Sequence, residues 1–316
     1  MYDVIALGEL LIDFAAISAD TEGYPTMAAH PGGAPANFLA AVNKFGGKTA
    51  LIGKVGKDSF GTLLLKTLEN SGIDTVGMKQ TDEFFTTLAF VSFDEKGDRS
   101  FAFSRKPGAD TQLRFEEIDL GLIDASRLFH FGTLSLTHEP AKTATQKAVA
   151  YAKAQGKLIS FDPNLRPPLW ASLDDAREQM EWGLRQADIV KISDEEVDFL
   201  WQLSPEEGAK KLLGEYGVKL AFVTCGENGC VYKNALCSGH VPALSGLNVI
   251  DTCGAGDIFG GSAVWKVLQS GKAPEALEND ELCEIVRFAT AAAGLSTQRP
   301  GGISSIPDLT EVSEAL

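Results

Sequence analysis

Val249-Ile250-Asp251-Thr252-Cys253-Gly254-Ala255-Gly256-Asp257-Ile258-Phe259-Gly260-Gly261-Ser262-Ala263-Val264 is the stretch around which the rest of the chain is arranged. A short apolar run ends at Ile250, a polar corner follows at Asp251 and Thr252, and a glycine turn comes next, Gly254-Ala255-Gly256. Beyond Asp257 the apolar residues Ile258, Phe259, Val264, Trp265 and Leu268 fall mainly at helical spacing. The pattern predicts a strand end or loop, a tight turn, and a helix opening near residue 255. A helix start aims several backbone N–H groups one way, with the positive end of the macrodipole behind them, and so attracts phosphate. Glycines let the backbone come close to an anion because no Cβ intervenes. Asp257 is the unusual member, since a carboxylate in the first turn of an anion-binding helix repels a bound phosphate. It makes sense if it accepts the proton of a hydroxyl that attacks a phosphoryl group. An ordinary capped helix with an aspartate in its first turn accounts for the same residues. This stretch alone leaves both readings open.

Two better-known phosphate motifs fail on spacing. The dinucleotide fingerprint G-x-G-x-x-G needs glycine at 259, where the chain has Phe259. The P-loop needs glycine at 42 ahead of Gly47-Lys48-Thr49, and finds Val42.

The 316 residues, 44% hydrophobic and 22% charged, suffice for one large domain. A formal net charge of −15 argues against nucleic-acid or anionic-membrane partners, which need a basic face. The five cysteines form no C-x-x-C pair and no zinc spacing with the four histidines, which reads as reduced thiols in a cytoplasmic protein. The N-terminus enters Tyr2-Asp3-Val4-Ile5-Ala6-Leu7 directly, so no signal peptide is expected, and no apolar run is long enough for a membrane span.

Along the chain, short apolar runs alternate with helical patterns. Strands are expected at 4–7, 49–52, 128–131, 158–161, 189–192, 220–224, 230–233 and 240–242. Helices are expected just after Gly32-Gly33-Ala34-Pro35-Ala36-Asn37, at 59–68 with Ser59 as cap, and at 139–155, 172–186, 195–201, 205–216, 256–270 and 280–296. Two segments break this rhythm. Residues 9–31 lack helical periodicity, with an insert at 12–30, and 84–104 read as a hairpin turning around Asp94-Glu95-Lys96-Gly97-Asp98. Together they predict a small second sheet, positioned as a lid. The remainder predicts a mainly parallel sheet covered on both faces, with ligands at the carboxyl ends of its strands. Asp162, residues 193–196, 224–229 and 254–257 all follow strands.

Gly32-Gly33-Ala34-Pro35-Ala36-Asn37 resembles the N-terminal signature of the ribokinase-like carbohydrate kinases, and Asp251-Thr252-Cys253-Gly254-Ala255-Gly256-Asp257 resembles their C-terminal signature. The likeness extends over essentially the whole chain. Within the family it is nearest the fructokinases, on Gly8-Glu9-Leu10-Leu11-Ile12-Asp13-Phe14, Phe161-Asp162-Pro163-Asn164-Leu165-Arg166-Pro167-Pro168-Leu169-Trp170 and Lys191-Ile192-Ser193-Asp194-Glu195-Glu196. The resemblance implies a three-layer α/β/α fold, a single kinase domain over 1–316 with a β-lid from about 12–30 and 84–104, and phosphorylation of D-fructose to fructose 6-phosphate by ATP. Ribose, 2-keto-3-deoxygluconate or nucleoside-analogue kinases, and an inactive sugar-binding relative, are the alternatives.

The resemblance also implies roles. Asp257 is the base, and Gly254, Ala255 and Gly256 form the anion hole. Asp13, Gly32, Gly33 and Asn37 hold the sugar, though a turn aspartate and a helix-start asparagine read the same. Arg166 and Arg105 are candidate cations near substrate and phosphates; a surface salt bridge also accounts for Arg105. Lys191, Ser193, Thr224, Gly226 and Gly229 line the nucleotide, the glycines equally forming a hairpin turn. Glu196 organises Mg²⁺ through water, with Ser193 where the family has asparagine; an acidic helix start is the plainer account. Asp251, the backbone of Cys253, and Gly302 and Ser305 match a K⁺ site, unless Asp251 only caps its loop. An acidic chain that binds ATP must gather cations at its site. A homodimer through the lid follows by analogy.

Overall fold

The computed structural model describes residues 1–93 and 99–316, so the turn expected at 94–98 lies outside the described residues. In chain order come β1 (Tyr2–Leu7), β2 (Leu11–Ala19), β3 (Pro25–Gly32), α1 (Ala34–Lys44), β4 (Thr49–Gly56), α2 (Ser59–Asn70), β5 (Met78–Thr81), β6 (Leu88–Phe93) and β7 (Arg99–Ser104). Then follow α3 (Leu120–Asp124), β8 (Ser126–Gly132), α4 (Ala141–Ala154), β9 (Leu158–Asp162), α5 (Leu173–Gln186), β10 (Ile189–Ser193), α6 (Asp194–Trp201) and α7 (Pro205–Tyr216). The chain closes with β11 (Leu220–Thr224), β12 (Cys230–Asn234), β13 (Ser238–Val241), α8 (Ala255–Ser270), α9 (Asn279–Ser296) and α10 (Leu309–Glu314).

The large sheet runs β13-β12-β11-β10-β9-β8-β1-β4-β5. It is parallel from β11 to β5, and β12 and β13 are antiparallel additions at one edge. The unbroken apolar run of β1 explains its central place, because a strand covered on both faces needs no polar alternation. Val4 and Ala6 enter the core shared with α1, α2, α8, α9 and α10. Ile5 and Leu7 enter the one shared with α3 to α7. Burying a side chain such as Ile5 contributes about 1.5–3 kcal/mol. The three layers expected from the βα rhythm follow directly.

The carboxyl ends of the strands carry the loops of interest. On the first face α1 and α8 pack very closely. A Cβ on Gly261 would lie 2.3 Å from the Phe38 carbonyl oxygen, so only glycine permits the approach.

The second sheet has the order β3-β2-β6-β7. Phe14 stacks on Phe90 within the sheet at 5.3 Å and fixes the sheet to the body by meeting the edge of Phe60 of α2 at 5.6 Å. The β run expected from 84 begins only at Leu88. Ahead of it the Thr86 N–H is taken by Asp58 and the Thr87 hydroxyl by Asp110, while the Thr87 carbonyl still accepts the Ile12 N–H of β2 at 3.1 Å. Asp58 also corrects the expected cap of α2. Its carboxylate accepts from Gly61 N at 2.8 Å, and Ser59 is the first helical residue. A carboxylate can serve Gly61 and Thr86 together, which a serine hydroxyl here does not. The short β5, α3 and α10 were not expected; each is too brief for a periodic signal. Among the described residues no helix is long and apolar enough to cross a membrane.

Where the small sheet rejoins the body, Arg105 is buried. Its guanidinium donates to Asp110 Oδ2 at 2.8 Å, to Thr137 Oγ1 at 2.8 Å and to the Leu134 carbonyl at 2.9 Å. The surface salt bridge considered for it is therefore corrected to a buried ion pair, 1% and 2% exposed at the two side chains. Removing one partner of such a pair strands the other charge. Asp110→Ala should lower the unfolding free energy by about 3–5 kcal/mol. Denaturant unfolding checks this, and a loss below ~1 kcal/mol would contradict a pairing role, since that is the worth of a surface pair.

Candidate active site

Helix α8 begins where the sequence places it. Its N-cap, Gly254, sits at φ 76°, a left-handed conformation that favours glycine. No side chain caps the helix; the Ala255 N–H donates to the Thr252 carbonyl at 3.3 Å, and those of Gly256 and Asp257 are left for a ligand. Asp257 stands in that turn. From α1, Asn37 donates its Nδ2 to Asp257 Oδ2 at 2.9 Å. This one contact joins the two glycine-rich signatures, from opposite ends of the chain. The Asn37 Oδ1 is buried without a hydrogen-bond partner. Burial raises the Asp257 carboxyl above its ordinary value, against the Asn37 hydrogen bond and the charges of Lys191 and Arg166.

Three cavities meet at residues 252–257. The first, about 270 Å³, is lined by Glu9, Asp13, Gly32, Gly33, Asn37, Asn164, Arg166, Asp251, Gly254, Asp257 and Gly302, with Ala15, Ile17, His30 and Phe103 of the small sheet. The second, about 530 Å³, is largely apolar, with Leu244, Leu247, Val249 and Phe259 beside Thr224, Gly226 and Gly229. The third, about 930 Å³, links them past Arg166, Lys191, Ser193, Glu196, Gly256 and Asp257. Asp257 and Gly254 thus border both the first and the third cavity, and Thr252 and Gly256 both the second and the third. A small polar ligand and a nucleotide-sized one would face each other across this wall.

Charged groups gather at the junction. Lys191 Nζ lies 3.1 Å from Asp162 Oδ2, and a Cβ on Gly256 would lie 2.9 Å from that Nζ. Burial raises the Asp162 carboxyl, Lys191 pulls it down, and Glu196 and Asp257 raise it further. Burial works against the Lys191 ammonium, but Asp162, Glu196 and Asp257 together hold its pKa above the ordinary lysine value. Asp13 is pushed up to about 6 by burial, which Arg166 opposes and Asp257 reinforces.

Ser193 and Glu196 form a capping box on α6: Ser193 Oγ accepts from Glu196 N at 3.1 Å, and Glu196 Oε2 accepts from Ser193 N at 2.9 Å. Glu196 Oε1 accepts from Leu165 N at 2.7 Å, tying the loop that carries Asn164 and Arg166 to this helix. Among the described residues no three histidine, cysteine or carboxylate side chains are grouped to hold a metal. Mg²⁺ keeps waters and phosphate oxygens as ligands and takes few from protein, so it needs no such grouping; Asp194, Glu195, Glu196 and Asp257 are the carboxylates that line the third cavity. Asp251 accepts from Cys253 N and Gly301 N, each at 2.9 Å, so it joins the two loops assigned to K⁺. Ser305 is buried and donates its Oγ to the Gly302 carbonyl.

Arg105 does not line any of the three cavities; its guanidinium serves Asp110, Thr137 and Leu134. The sequence offers Asp162 and Glu9 no role of their own. Glu9 is 3% exposed, and burial pushes its carboxyl up to about 7 against its own backbone N–H and Arg105. The sequence signals for both are their places just after strands and within the segments that resemble the fructokinases. The apolar wall at 243–249 carried no signal at all.

This fold and site define a class. The chain matches the pfkB family of carbohydrate kinases over residues 1–309 and belongs to it. It is accordingly a sugar kinase of ribokinase-like fold. Its relatives include fructokinase-1 of Zea mays, 38% identical over 317 residues that cover 99% of this chain and 97% of the relative. Fructokinase-2 of Oryza sativa subsp. japonica is 39% identical, covering 99% and 93%. Among solved structures, the ATP-bound fructokinase of Xylella fastidiosa superposes with a TM-score of 0.90 at 30% identity, covering 100% of this chain and 98% of that one. A double mutant of the Vibrio cholerae O395 fructokinase, with fructose, ADP and potassium ion bound, has a TM-score of 0.87 at 27% identity, covering 100% and 98%.

Proposed function

We propose that the protein transfers the γ-phosphoryl group of ATP to D-fructose, giving fructose 6-phosphate, by in-line displacement with Asp257 as base. The observation that carries this is the shared wall: the uncapped start of α8 and the Asp257 carboxylate lie between the small polar cavity and the cavities suited to a nucleotide. The relatives named fructokinase support the choice of sugar. In this reading Asp13, Gly32, Gly33, Asn37 and Arg166 hold fructose in the first cavity. Thr224, Gly226, Gly229 and the apolar wall hold the nucleotide base and ribose. Lys191, Ser193 and Gly256 border its phosphates. The backbone at Gly254, Ala255 and Gly256 stabilises charge developing on the transferring group. Asp257 accepts the sugar hydroxyl's proton, and its raised pKa moves it toward the working pH of a base. Mg²⁺, when bound, neutralises phosphate charge, with Glu196 acting on it through water. A cytoplasmic location follows from the reaction.

Asp257→Asn keeps the size and can still hydrogen-bond the hydroxyl, but cannot take its proton. kcat should fall by at least ~10²-fold with the sugar KM little changed and circular dichroism native. Near-normal kcat would refute the assignment, and an unfolded variant would make Asp257 a structural first-turn residue. A coupled ADP-release assay over fructose, ribose, 2-keto-3-deoxygluconate and nucleosides tests the sugar; activity on none of them would favour an inactive relative.

We assign K⁺ to the loops joined by Asp251, Cys253, Gly302 and Ser305, where its charge supports the anion hole. K⁺ should raise the rate well above Na⁺. Equal rates in K⁺ and tetramethylammonium buffers would rule this out.

The small sheet supplies Asp13, Ala15, Ile17 and Phe103 to the first cavity, so it is assigned as a lid that excludes water during transfer. Saturating fructose should slow hydrogen exchange in 12–30 and 84–104, and no change in either would remove the lid. Ile17 of this sheet is 67% exposed, and pairing with a second lid in a homodimer would cover it. Sedimentation as a monomer at micromolar concentration would exclude that pairing.

A further inference from the structure

Glu9 lies just past β1, at the carboxyl end of the strand where the sheet order reverses: β4 pairs on one side of β1 and β8 on the other. Crevices at such reversals are where open α/β sheets take ligands. The residue is buried yet lines the first cavity. Its Oε1 accepts the Ala34 N–H at 3.1 Å, which supplies the cap that Gly33 lacks at the start of α1. That duty takes one hydrogen bond, and the residue's own backbone N–H supplies the carboxyl with a second. A carboxylate has about four acceptor sites, so capacity remains toward the cavity it lines. The neighbouring guanidinium of Arg105 is engaged by Asp110, Thr137 and Leu134. A buried carboxylate with more acceptor sites than donors is costly, and its pKa, pushed up to about 7, reflects that.

We infer that Glu9 contacts the substrate, its carboxylate accepting the hydrogen of one sugar hydroxyl inside the first cavity. This rests on the sugar-kinase reading above. With Asp13, Asp251 and Asp257 it makes four carboxylates around one small cavity, an arrangement that suits a neutral polyol full of donors.

The test compares wild type with Glu9→Gln on fructose and on its monodeoxy analogues. Gln retains an oxygen for the Ala34 N–H. The KM for fructose should rise about 10–100-fold, as expected for losing a hydrogen bond to a charged group, while kcat and the KM for ATP stay within about 3-fold. One monodeoxy analogue should be penalised in the wild type and no longer penalised, relative to fructose, in Glu9→Gln; that analogue names the hydroxyl. If every deoxy penalty persists in the variant, or kcat falls with KM unchanged, the contact is refuted and Glu9 serves α1 alone. If wild type ignores fructose but takes another sugar, the fructose reading fails, and the same cycle on deoxy forms of that sugar decides for Glu9. Should Glu9→Gln not fold, Glu9→Asp, which keeps the charge one methylene further back, carries the cycle.

Discussion

The site depends on how closely α1 and α8 approach each other. Gly261 lets the backbone of α8 rest against the Phe38 carbonyl, and that proximity brings Asn37 within 2.9 Å of Asp257. A larger residue at 261 would separate the helices and with them the two halves of the site. The contact also orients Asp257: with one oxygen held by an amide donor, the carboxylate has a defined direction before any substrate arrives, which is the kind of preorganisation that positioning in catalysis requires. Asn37 has its other amide atom, Oδ1, buried without a partner. Such an atom is tolerated where a ligand is due to satisfy it.

The two sheets divide the work. The large one is rigid and covered on both faces, and it supplies the helix start and the charged junction. The small one is held at few places, chiefly the contact of Phe14 with Phe60 of α2 and the buried Arg105 group. It contributes side chains to only one of the three cavities that meet at 252–257, the first. In the proposed reading chemistry resides on the body, and discrimination among acceptors falls partly to the sheet that lines the first cavity.

Much of this was legible in the sequence for a physical reason. Strands buried on both faces are near-continuous apolar runs, and β1 and β11 declared themselves that way. The turn at Gly254 was legible because few residue combinations serve a left-handed cap followed by an acidic first turn. What was hidden depended on residues distant in sequence. Asp58 displaced Ser59 as a cap because Thr86 and Gly61 share it. Arg105 became a buried pair because Asp110, Thr137 and Leu134 converge on it. The role of Glu9 depends on Ala34 and on the strand order, neither of which is local. One signal stood in plain view and was not used: Ser193-Asp194-Glu195-Glu196 is a capping box by its spacing alone. Read so, serine in place of asparagine is a change of helix cap as much as a change near the metal.

The crowding of carboxylates has a consequence for the resting protein. Glu9, Asp13, Asp162 and Asp257 all have pKa values raised by burial above those of an unfolded chain. A carboxyl raised in this way favours the native state fully below its unfolded pKa, near 4, and that contribution is lost as pH rises through the native value, about 6 for Asp13 and about 7 for Glu9. At neutral pH and above, the empty protein therefore carries mutual repulsion in the cleft that performs its chemistry. Ligands that donate hydrogen bonds or bring cations relieve it. The molecule is then sturdier at work than at rest, and its lifetime in a cell is tied to the supply of what it consumes.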